Sequence, residues 1–256
     1  MLPFIQLGPF TLQAPGLALL IGVWIGLSLS EKEAIKLKLD PNQIYNLIFY
    51  GLVVGVVGAR LGYALQYPRA YLESPWSLVA LTPNTLAPEI GLLFAIIAAL
   101  IYGKRQKMLL RPTLDAFAPG LAAFMVSFGV AHFMSGDAFG APTKLPWAIY
   151  LWDDFRHPSQ VYETLAALII LLVVWRRPLG QRGGGVNFLW VIALSAAMRI
   201  FLEAFRGDSV IWVGGFRAAQ VSGVVVLAVS LWLMRRWSHS ASTVEEKLII
   251  QTKGDS

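Results

Sequence analysis

The chain has 256 residues, of which 56% are hydrophobic and only 14% are charged, whereas a soluble domain usually carries about 25% charged residues, so most of the chain is expected to face lipid. Its net charge of +6 comes from basic residues scattered in short segments between apolar runs, which favours a membrane surface over nucleic acid as the partner. Cysteine is absent, which excludes a disulfide, a thiolate metal site and a thiol nucleophile belonging to this chain.

Apolar runs predict the fold class. Segment 1–13 lacks a basic start, and the run from Leu17 continues into a full span, so no removable signal peptide is expected. Windows of roughly 17 to 25 residues suit a bilayer core. We predict an all-α polytopic membrane protein with about seven transmembrane helices, in one domain over 1–237 with a short cytoplasmic tail at 238–256. The spans, in chain order, are residues 15–30, 44–67, 87–102, 114–134, 159–175, 186–205 and 218–234.

Basic residues predict the orientation of these spans, because short cytoplasmic loops retain Lys and Arg. The odd-numbered loops and the segment after the last span carry Lys32, Lys36, Lys38, Lys104, Arg105, Lys107, Arg111, Arg176, Arg177, Arg182, Arg235 and Arg236. The even-numbered loops carry only Arg69, Lys144, Arg156, Arg206 and Arg217. With an N-terminus outside the cell and a cytoplasmic C-terminus, every loop rich in Lys and Arg lies in the cytoplasm.

Polar residues then gather at the outer ends of six predicted spans. An ionisable group at mid-membrane costs at least ~2.5–3.5 kcal/mol on insertion scales, so such groups normally face inward, pair or line a watery path. We therefore expect one shared cavity. A simpler alternative is that Arg199 and Glu203, at i and i+4, form an intrahelical pair that neutralises itself. The polar set is Arg60, Glu89, His132, Gln160, Tyr162, Glu163, Arg199, Glu203 and Gln220.

The octapeptide at 156–163 concentrates donors and acceptors at the start of an apolar helix. Ser159 is predicted to be the N-cap of that helix, because a serine side chain there accepts a hydrogen bond from a free backbone N–H. His132 taken alone is more typical of a hydrogen-bonded residue at a helix end than of a catalyst. His157 has more polar neighbours in the sequence, so the octapeptide is expected to do more than cap the helix.

These motifs together resemble the bacterial prolipoprotein diacylglyceryl transferase family, a group of seven-span membrane enzymes. The most specific match is His-Pro-Ser-Gln-Val-Tyr-Glu at 157–163, close to the family's His-Pro-Ser-Gln-Leu-Tyr-Glu. Further similar segments follow in the family's order along almost the entire chain. They are Gly-Ala-Arg-Leu-Gly-Tyr at 58–63, Gly-Asp-Ala-Phe-Gly at 136–140, Leu-Pro-Trp-Ala at 145–148, Arg-Ile-Phe-Leu-Glu-Ala-Phe-Arg at 199–206 and Gln-Val-Ser at 220–222.

The chain departs from the family pattern at several positions, among them four where the family has a polar or aromatic side chain. The family's His-Gly-Gly-Leu aligns with Glu-Ile-Gly-Leu, so Glu89 stands in place of a histidine. The family's Gly-Arg-x-Gly-Asn-Phe aligns with 128–133, so Gly129 replaces an arginine and His132 replaces an asparagine. The tyrosine of the family's first span falls at Pro15.

The resemblance implies a reaction in which diacylglycerol moves from phosphatidylglycerol to the cysteine thiol of a prolipoprotein's lipobox, releasing glycerol phosphate. Arg199, Arg206 and Arg60 are candidates to bind the phosphate, because arginine binds phosphate oxygens bidentately. Glu203 and Asp137 would orient these guanidiniums, and His132 or Glu89 would serve as the base.

The other expectations concern substrate contacts and surroundings. No cofactor, metal or nucleic acid is implied, and the partners are phosphatidylglycerol, the lipobox-bearing signal peptide and the lipid bilayer of a bacterial plasma (inner) membrane. Two alternatives stay open: a paralogue that binds phospholipid or precursor without transfer, and a transporter, for which no inverted repeat is visible. The substrate-binding candidates beyond the arginines and Asp137 are Gly140, His157, Gln160, Tyr162, Glu163 and Gln220.

Overall fold

The computed structural model describes residues 4–8, 10–78, 85–178, 184–212 and 214–254, and most of these residues are helical. Arg182, predicted in a cytoplasmic loop, lies outside the described residues. Each predicted span falls on a helix. The helices are α1 (Ala14–Lys36), α2 (Pro41–Gln66), α3 (Pro68–Glu73), α4 (Pro88–Arg105), α5 (Leu110–Ser135), α6 (Ser159–Arg176), α7 (Val186–Leu202) and α8 (Ala218–Gly254).

Two short antiparallel hairpins, which the sequence did not predict, accompany the helices. Strand β1 (Phe4–Leu7) pairs with β2 (Phe10–Gln13), and β3 (Ile149–Leu151) pairs with β4 (Asp154–Arg156). Single 3₁₀ turns cover Pro75–Leu78 and Glu203–Phe205. The second hairpin occupies the connection from α5 to α6 and leads directly into the octapeptide identified from the sequence.

Among the described residues, six helices are long and apolar enough to cross a bilayer: α1, α2, α5, α6, α7 with its following turn, and α8 up to Ser238. This confirms a mostly helical, multi-pass membrane protein. Helix α4 coincides with the remaining predicted span. Its 18 residues include the charged side chains of Glu89, Lys104 and Arg105, so α4 is not among the six helices that are apolar enough to cross a bilayer. Helix α8 continues past the bilayer-length segment to Gly254, so the predicted tail is largely helical.

Residues Asp40–Leu110 form one compact unit, built mainly on the packing of α2 against α4. Asp40 caps α2, because its carboxylate accepts a hydrogen bond from the backbone N–H of Asn42 at 2.9 Å. The first residues of α4 are tied to α2 by a hydrogen bond of 3.0 Å from the N–H of Ala87 to the carbonyl of Ala59. This unit contains Arg60 and Glu89.

The second compact unit comprises Met1–Leu39 and Arg111–Ser256. Its core lies where α5, α6 and α7 meet, and α8 packs on the opposite side of α7 through Leu189, Ala193 and Met234. Helices α5, α6 and α7 therefore pack against one another. The side chains of the three-helix core are Ala118, Ala122, Ile170, Val174 and Val191.

Two contacts fix α5 against its neighbours in this unit. A Cβ atom added at Gly26 of α1 would lie 2.8 Å from the carbonyl oxygen of Gly120, so these helices cross with their backbones nearly touching. The buried carboxylate of Asp115 accepts hydrogen bonds of 2.9 Å from the backbone N–H groups of Gly185 and Phe188. Asp115 thereby satisfies free N–H groups at the beginning of α7 from a neighbouring helix.

Candidate functional site

A cavity of about 280 Å³ lies between α5, α6 and α7, and its wall is mostly apolar. Three ionisable side chains, His132, Glu163 and Arg199, stand at this wall, one from each helix. The hydroxyl of Ser195 also lines the cavity and donates to the carbonyl of Val191 at 2.6 Å. The apolar lining is Met125, Phe128, Ala166, Ala167, Ile170, Met198 and Leu202.

Glu163 is the carboxylate that the basic side chains of the site share. Its Oε2 lies 3.2 Å from Nδ1 of His132, and its Oε1 lies 2.6 Å from Nη1 of Arg206 and 3.4 Å from Nη1 of Arg199. Buried charges are tolerated when they are paired in this way. Glu163 therefore connects α5, α6 and the end of α7 through one side chain.

Arg199 is the guanidinium that faces the cavity. Its side chain is 43% exposed, and its Nε lies 3.2 Å from Oε2 of the buried Glu203, one turn along the same helix. The intrahelical pair considered as a simple alternative is thus present. The pair does not describe Arg199 fully, because the same guanidinium also reaches Glu163 on α6.

Arg206 is paired more completely than Arg199. Its Nε and Nη2 contact the two carboxylate oxygens of Asp208 at 2.8 and 2.6 Å, and only 10% of its side chain is exposed. Burial lowers the pKa of the Arg206 guanidinium, but the hydrogen bonds to Asp208 and the charge of Glu163 outweigh this effect and hold the pKa above its ordinary value. Arg206 is therefore a permanently charged support for Glu163.

Asp208 takes the orienting role that the sequence suggested for Asp137. Among the described residues the carboxylate of Asp137 forms no ion pair, and it is the backbone carbonyl of Asp137 that accepts a hydrogen bond of 2.9 Å from Nε2 of Gln160. The predicted role of Asp137 at the site stays a prediction. Asp208 follows Arg206 by two residues in a loop, where no helical spacing marks the pair.

Gly129 lies at a close approach of α5 to α6 beside the cavity. A Cβ atom at this position would lie 2.5 Å from Oγ1 and 3.0 Å from the backbone nitrogen of Thr164. Any larger residue, including the arginine of the family pattern, would force these helices apart. Thr164 could not be identified from the sequence, because the spacing of residues within one helix does not reveal which residue of another helix each one faces.

The octapeptide holds the loop before α6 in place. Ser159 is the first residue of α6, not its N-cap as predicted, and its hydroxyl donates to the carbonyl of Ala138 at 2.5 Å. The Tyr162 hydroxyl accepts from Nε1 of Trp147 at 2.8 Å, and the ring of His157 packs on Phe205 with centroids 5.2 Å apart. These contacts give the octapeptide a positioning role beside the cavity.

Gly140 also helps to hold the loop before α6 in place. Its backbone pairs with that of Arg206, and its carbonyl accepts from the guanidinium of Arg156 at 3.3 Å. A Cβ atom at Gly140 would meet the backbone of His157, so the crossing of these loops leaves no room for a side chain. Gln220 acts similarly at the start of α8, where its amide donates to the carbonyl of Ile200 at 3.2 Å.

Arg60 and Glu89 belong to the other compact unit. The guanidinium of Arg60 donates to the backbone carbonyls of Ser77, Leu78 and Thr85, contacts that clamp the connection between α2 and α4. Glu89 is exposed in the first turn of α4. The predicted convergence is therefore observed for residues of α5, α6 and α7 and the turn after α7, while the roles of Arg60 and Glu89 stay predictions.

The helices and the cavity define a class: a multi-pass membrane protein in which an apolar cavity ends in paired arginine, carboxylate and imidazole groups. Residues 3–236 match the family model described as prolipoprotein diacylglyceryl transferase. The chain therefore belongs to the prolipoprotein diacylglyceryl transferase family, which confirms the resemblance found in its motifs.

Curated relatives support the family over most of the chain. The chain is 31% identical over 251 residues to a phosphatidylglycerol–prolipoprotein diacylglyceryl transferase of Gloeobacter violaceus, covering 91% of this chain and 93% of the relative. Relatives of the same name from Thermosynechococcus vestitus and Geobacillus kaustophilus are 30% and 29% identical, over 89% and 91% of this chain and 89% and 92% of the relatives.

Proposed function

We propose that this protein transfers a diacylglyceryl group from phosphatidylglycerol to the cysteine thiol of a prolipoprotein lipobox, forming a thioether and releasing glycerol phosphate. The observation that carries the proposal is the half-exposed Arg199 at the polar end of a mostly apolar cavity. Such a cavity suits a lipid, whose glyceryl and acyl carbons are apolar and whose phosphate is anionic. Family membership and the names of the relatives support the same reaction.

The reaction makes three demands on the site. The thiol must become a thiolate, the glyceryl carbon must be held in line for attack, and the charge on the leaving phosphate must be stabilised. Arg199 meets the third demand, because a guanidinium offers paired donors to phosphate oxygens and stays charged when it is desolvated. The apolar wall meets the second by holding the lipid's hydrocarbon.

The remaining charged groups act through Arg199 and Glu163. Glu203 is 2% exposed and holds Nε of Arg199, which leaves the outer edge of the guanidinium for the phosphate. Arg206, held by Asp208, fixes Glu163 in turn. In this proposal Arg206 is a positioning residue and does not bind the phosphate directly.

The proposal includes the setting of the reaction. We place the protein in a bacterial plasma membrane with seven spans, an N-terminus outside and a C-terminus in the cytoplasm, on the strength of the Lys and Arg distribution. The cavity then opens toward the outer leaflet. Phosphatidylglycerol of that leaflet and the signal peptide of an exported precursor are the partners there.

The test is the substitution Arg199→Ala. It removes the cation that faces the cavity, so modification of a lipobox-bearing precursor in membranes should fall at least 100-fold, the scale of loss when one charge-stabilising donor is removed. The measurement is the gel shift or mass increase of the precursor, with complementation of cells depleted of their own transferase as a second readout.

Arg69→Ala is the matched control, because it removes an exposed arginine of α3 that lies on the same predicted side of the membrane. It should leave modification unchanged. Modification that survives Arg199→Ala would reject the site, and an unsubstituted protein that neither modifies precursors nor rescues depleted cells would reject the function.

A second candidate is a family member that binds phospholipid or precursor without transfer. The observation that favours it is the absence of the family's arginine at Gly129, where Thr164 leaves no space for a longer side chain. Binding of phosphatidylglycerol without any mass increase of the precursor would identify this function.

A further inference from the structure

We propose that His132 accepts the proton of the substrate thiol and that Glu163 holds its imidazole in the tautomer this step requires; the inference rests on the transferase function proposed above. His132 lies on α5 at the cavity wall. Its Nδ1 is 3.2 Å from Oε2 of Glu163 on α6. The family pattern has an asparagine at this position, so the role belongs to this chain's own residues.

The contact with Glu163 determines which ring nitrogen is available. A carboxylate accepts hydrogen bonds, so Nδ1 must carry the hydrogen, and Nε2 is then the unprotonated nitrogen. Among the described contacts Nε2 has no hydrogen-bond partner. This is the relation between carboxylate and imidazole by which enzymes present one nitrogen as a base.

The charged groups that face the ring come from the two other helices of the cavity. Glu163 of α6 contacts the ring itself, while Arg199 of α7 and Arg206 after it bind the other carboxylate oxygen, Oε1. On its own helix the ring stacks near Phe128, with centroids 4.3 Å apart. Glu163 is thus held in position by groups other than His132.

The close approach at Gly129 explains why this chain can form the contact. With no side chain at 129, α5 packs against the backbone of Thr164, the residue that directly follows Glu163. Position 132 lies one turn further along α5, on the same face. Gly129 therefore allows the close approach of α5 to α6 at which His132 contacts Glu163.

The chemical step balances as follows. The S–H bond of the lipobox cysteine breaks and its proton binds Nε2 of His132. The thiolate forms a C–S bond to the glyceryl carbon of phosphatidylglycerol as the bond from that carbon to the phosphate oxygen breaks. The electron pair of the broken bond leaves with glycerol phosphate, whose charge Arg199 stabilises, and the imidazolium then returns its proton to water.

The experiment measures initial rates of transfer from phosphatidylglycerol to a lipobox peptide as a function of pH, for the unsubstituted protein and for His132→Asn. Near pH 7 the variant should be slower by roughly 10²–10⁴-fold, the usual contribution of a positioned base. The deficit should shrink as the pH approaches the ordinary thiol pKa of about 8.5, because water then ionises the thiol without help. His239→Asn, beyond the last bilayer-length segment, should match the unsubstituted protein at every pH.

A second substrate separates a base from a structural residue. A peptide with selenocysteine in place of cysteine is ionised at neutral pH without a base, so His132→Asn should transfer to it at nearly the unsubstituted rate. A deficit equal at all pH values, no deficit, or no rescue by the selenol would each overturn the role of His132.

Binding of phosphatidylglycerol shows whether a slow variant still has an intact cavity. Loss of this binding in both His132→Asn and His132→Gln would show that the ring holds the cavity together, which also overturns the proposal. If the unsubstituted protein transfers normally, only the role of His132 is rejected; if it transfers nothing, the proposed function is rejected as well.

Discussion

Arg199 and Arg206 both contact Glu163, but they differ in what else they contact. Arg206 is enclosed by a second carboxylate, Asp208, and is almost buried, whereas Arg199 keeps nearly half of its side chain open at the cavity. Both arginines were candidate phosphate ligands, because the family resemblance implies a phosphate leaving group and arginine binds phosphate oxygens bidentately. Only the structure distinguishes them, because the difference comes from a loop residue and from exposure.

Asp115 offers a residue-scale test of stability. Its buried carboxylate accepts two backbone hydrogen bonds at the start of α7, and an asparagine would turn an N–H₂ group toward one of those donors. We expect Asp115→Asn to lower the free energy of unfolding by about 1–3 kcal/mol, the cost of leaving a buried donor unsatisfied. The measurement is the unfolding of the detergent-solubilised protein followed by tryptophan fluorescence.

Asp153→Asn makes the same chemical change at an exposed turn and should leave stability within about 0.5 kcal/mol of the unsubstituted protein. Equal stability of the two variants would contradict the capping role of Asp115.

At the scale of elements, the crossing of α1 and α5 depends on glycine. A methyl group at Gly120 would meet the carbonyl of Gly26 and the hydroxyl of Ser30, and the carbonyl belongs to a helix backbone that cannot rotate away. We expect Gly120→Ala to push α1 from α5 and to destabilise the protein by about 1–3 kcal/mol, as overpacking does. The change should appear as a lower thermal midpoint in detergent.

Gly16→Ala is the matched control in α1, since the nearest atom to its added Cβ is 4.0 Å away. Helix propensity alone predicts a neutral effect or a gain of up to about 1 kcal/mol. A Gly120→Ala protein as stable as Gly16→Ala would mean that the two helices do not need this close contact.

The elements show what sequence alone could predict. The apolar runs predicted where the long helices lie, because a run of lipid-facing residues is continuous along the chain. They did not predict the pairing of Ile149 with Arg156 in the second hairpin, because strands of three residues are too short to show a period-two pattern in the sequence. The Arg199 and Glu203 pair was predictable at i and i+4, but the contact of His132 with Glu163 was not, since it depends on the register of α5 against α6.

At the scale of the whole molecule, the orientation can be tested because the chain contains no cysteine. A cysteine introduced at Lys144, in the connection between α5 and α6, should react with a membrane-impermeant maleimide on intact cells. A cysteine introduced at Gln106, after α4, should react only after the membrane is opened. These outcomes follow from the Lys and Arg bias of the loops.

The unsubstituted chain provides the background, since it has no thiol to label. Labelling of the Gln106→Cys protein in intact cells, together with protection of Lys144→Cys, would reverse the orientation and place the cavity toward the cytoplasm.

Because Glu163 is shared by His132, Arg199 and Arg206, the equilibria at these groups are linked. Linkage is reciprocal: if one binding event favours another by some free energy, the second favours the first by the same amount. A proton gained by the imidazole of His132 makes it positive, so it offsets part of the negative charge of Glu163 that otherwise attracts Arg199. If His132 takes the proton of the acceptor thiol, as proposed above, Arg199 would bind the departing anion more strongly as that anion forms.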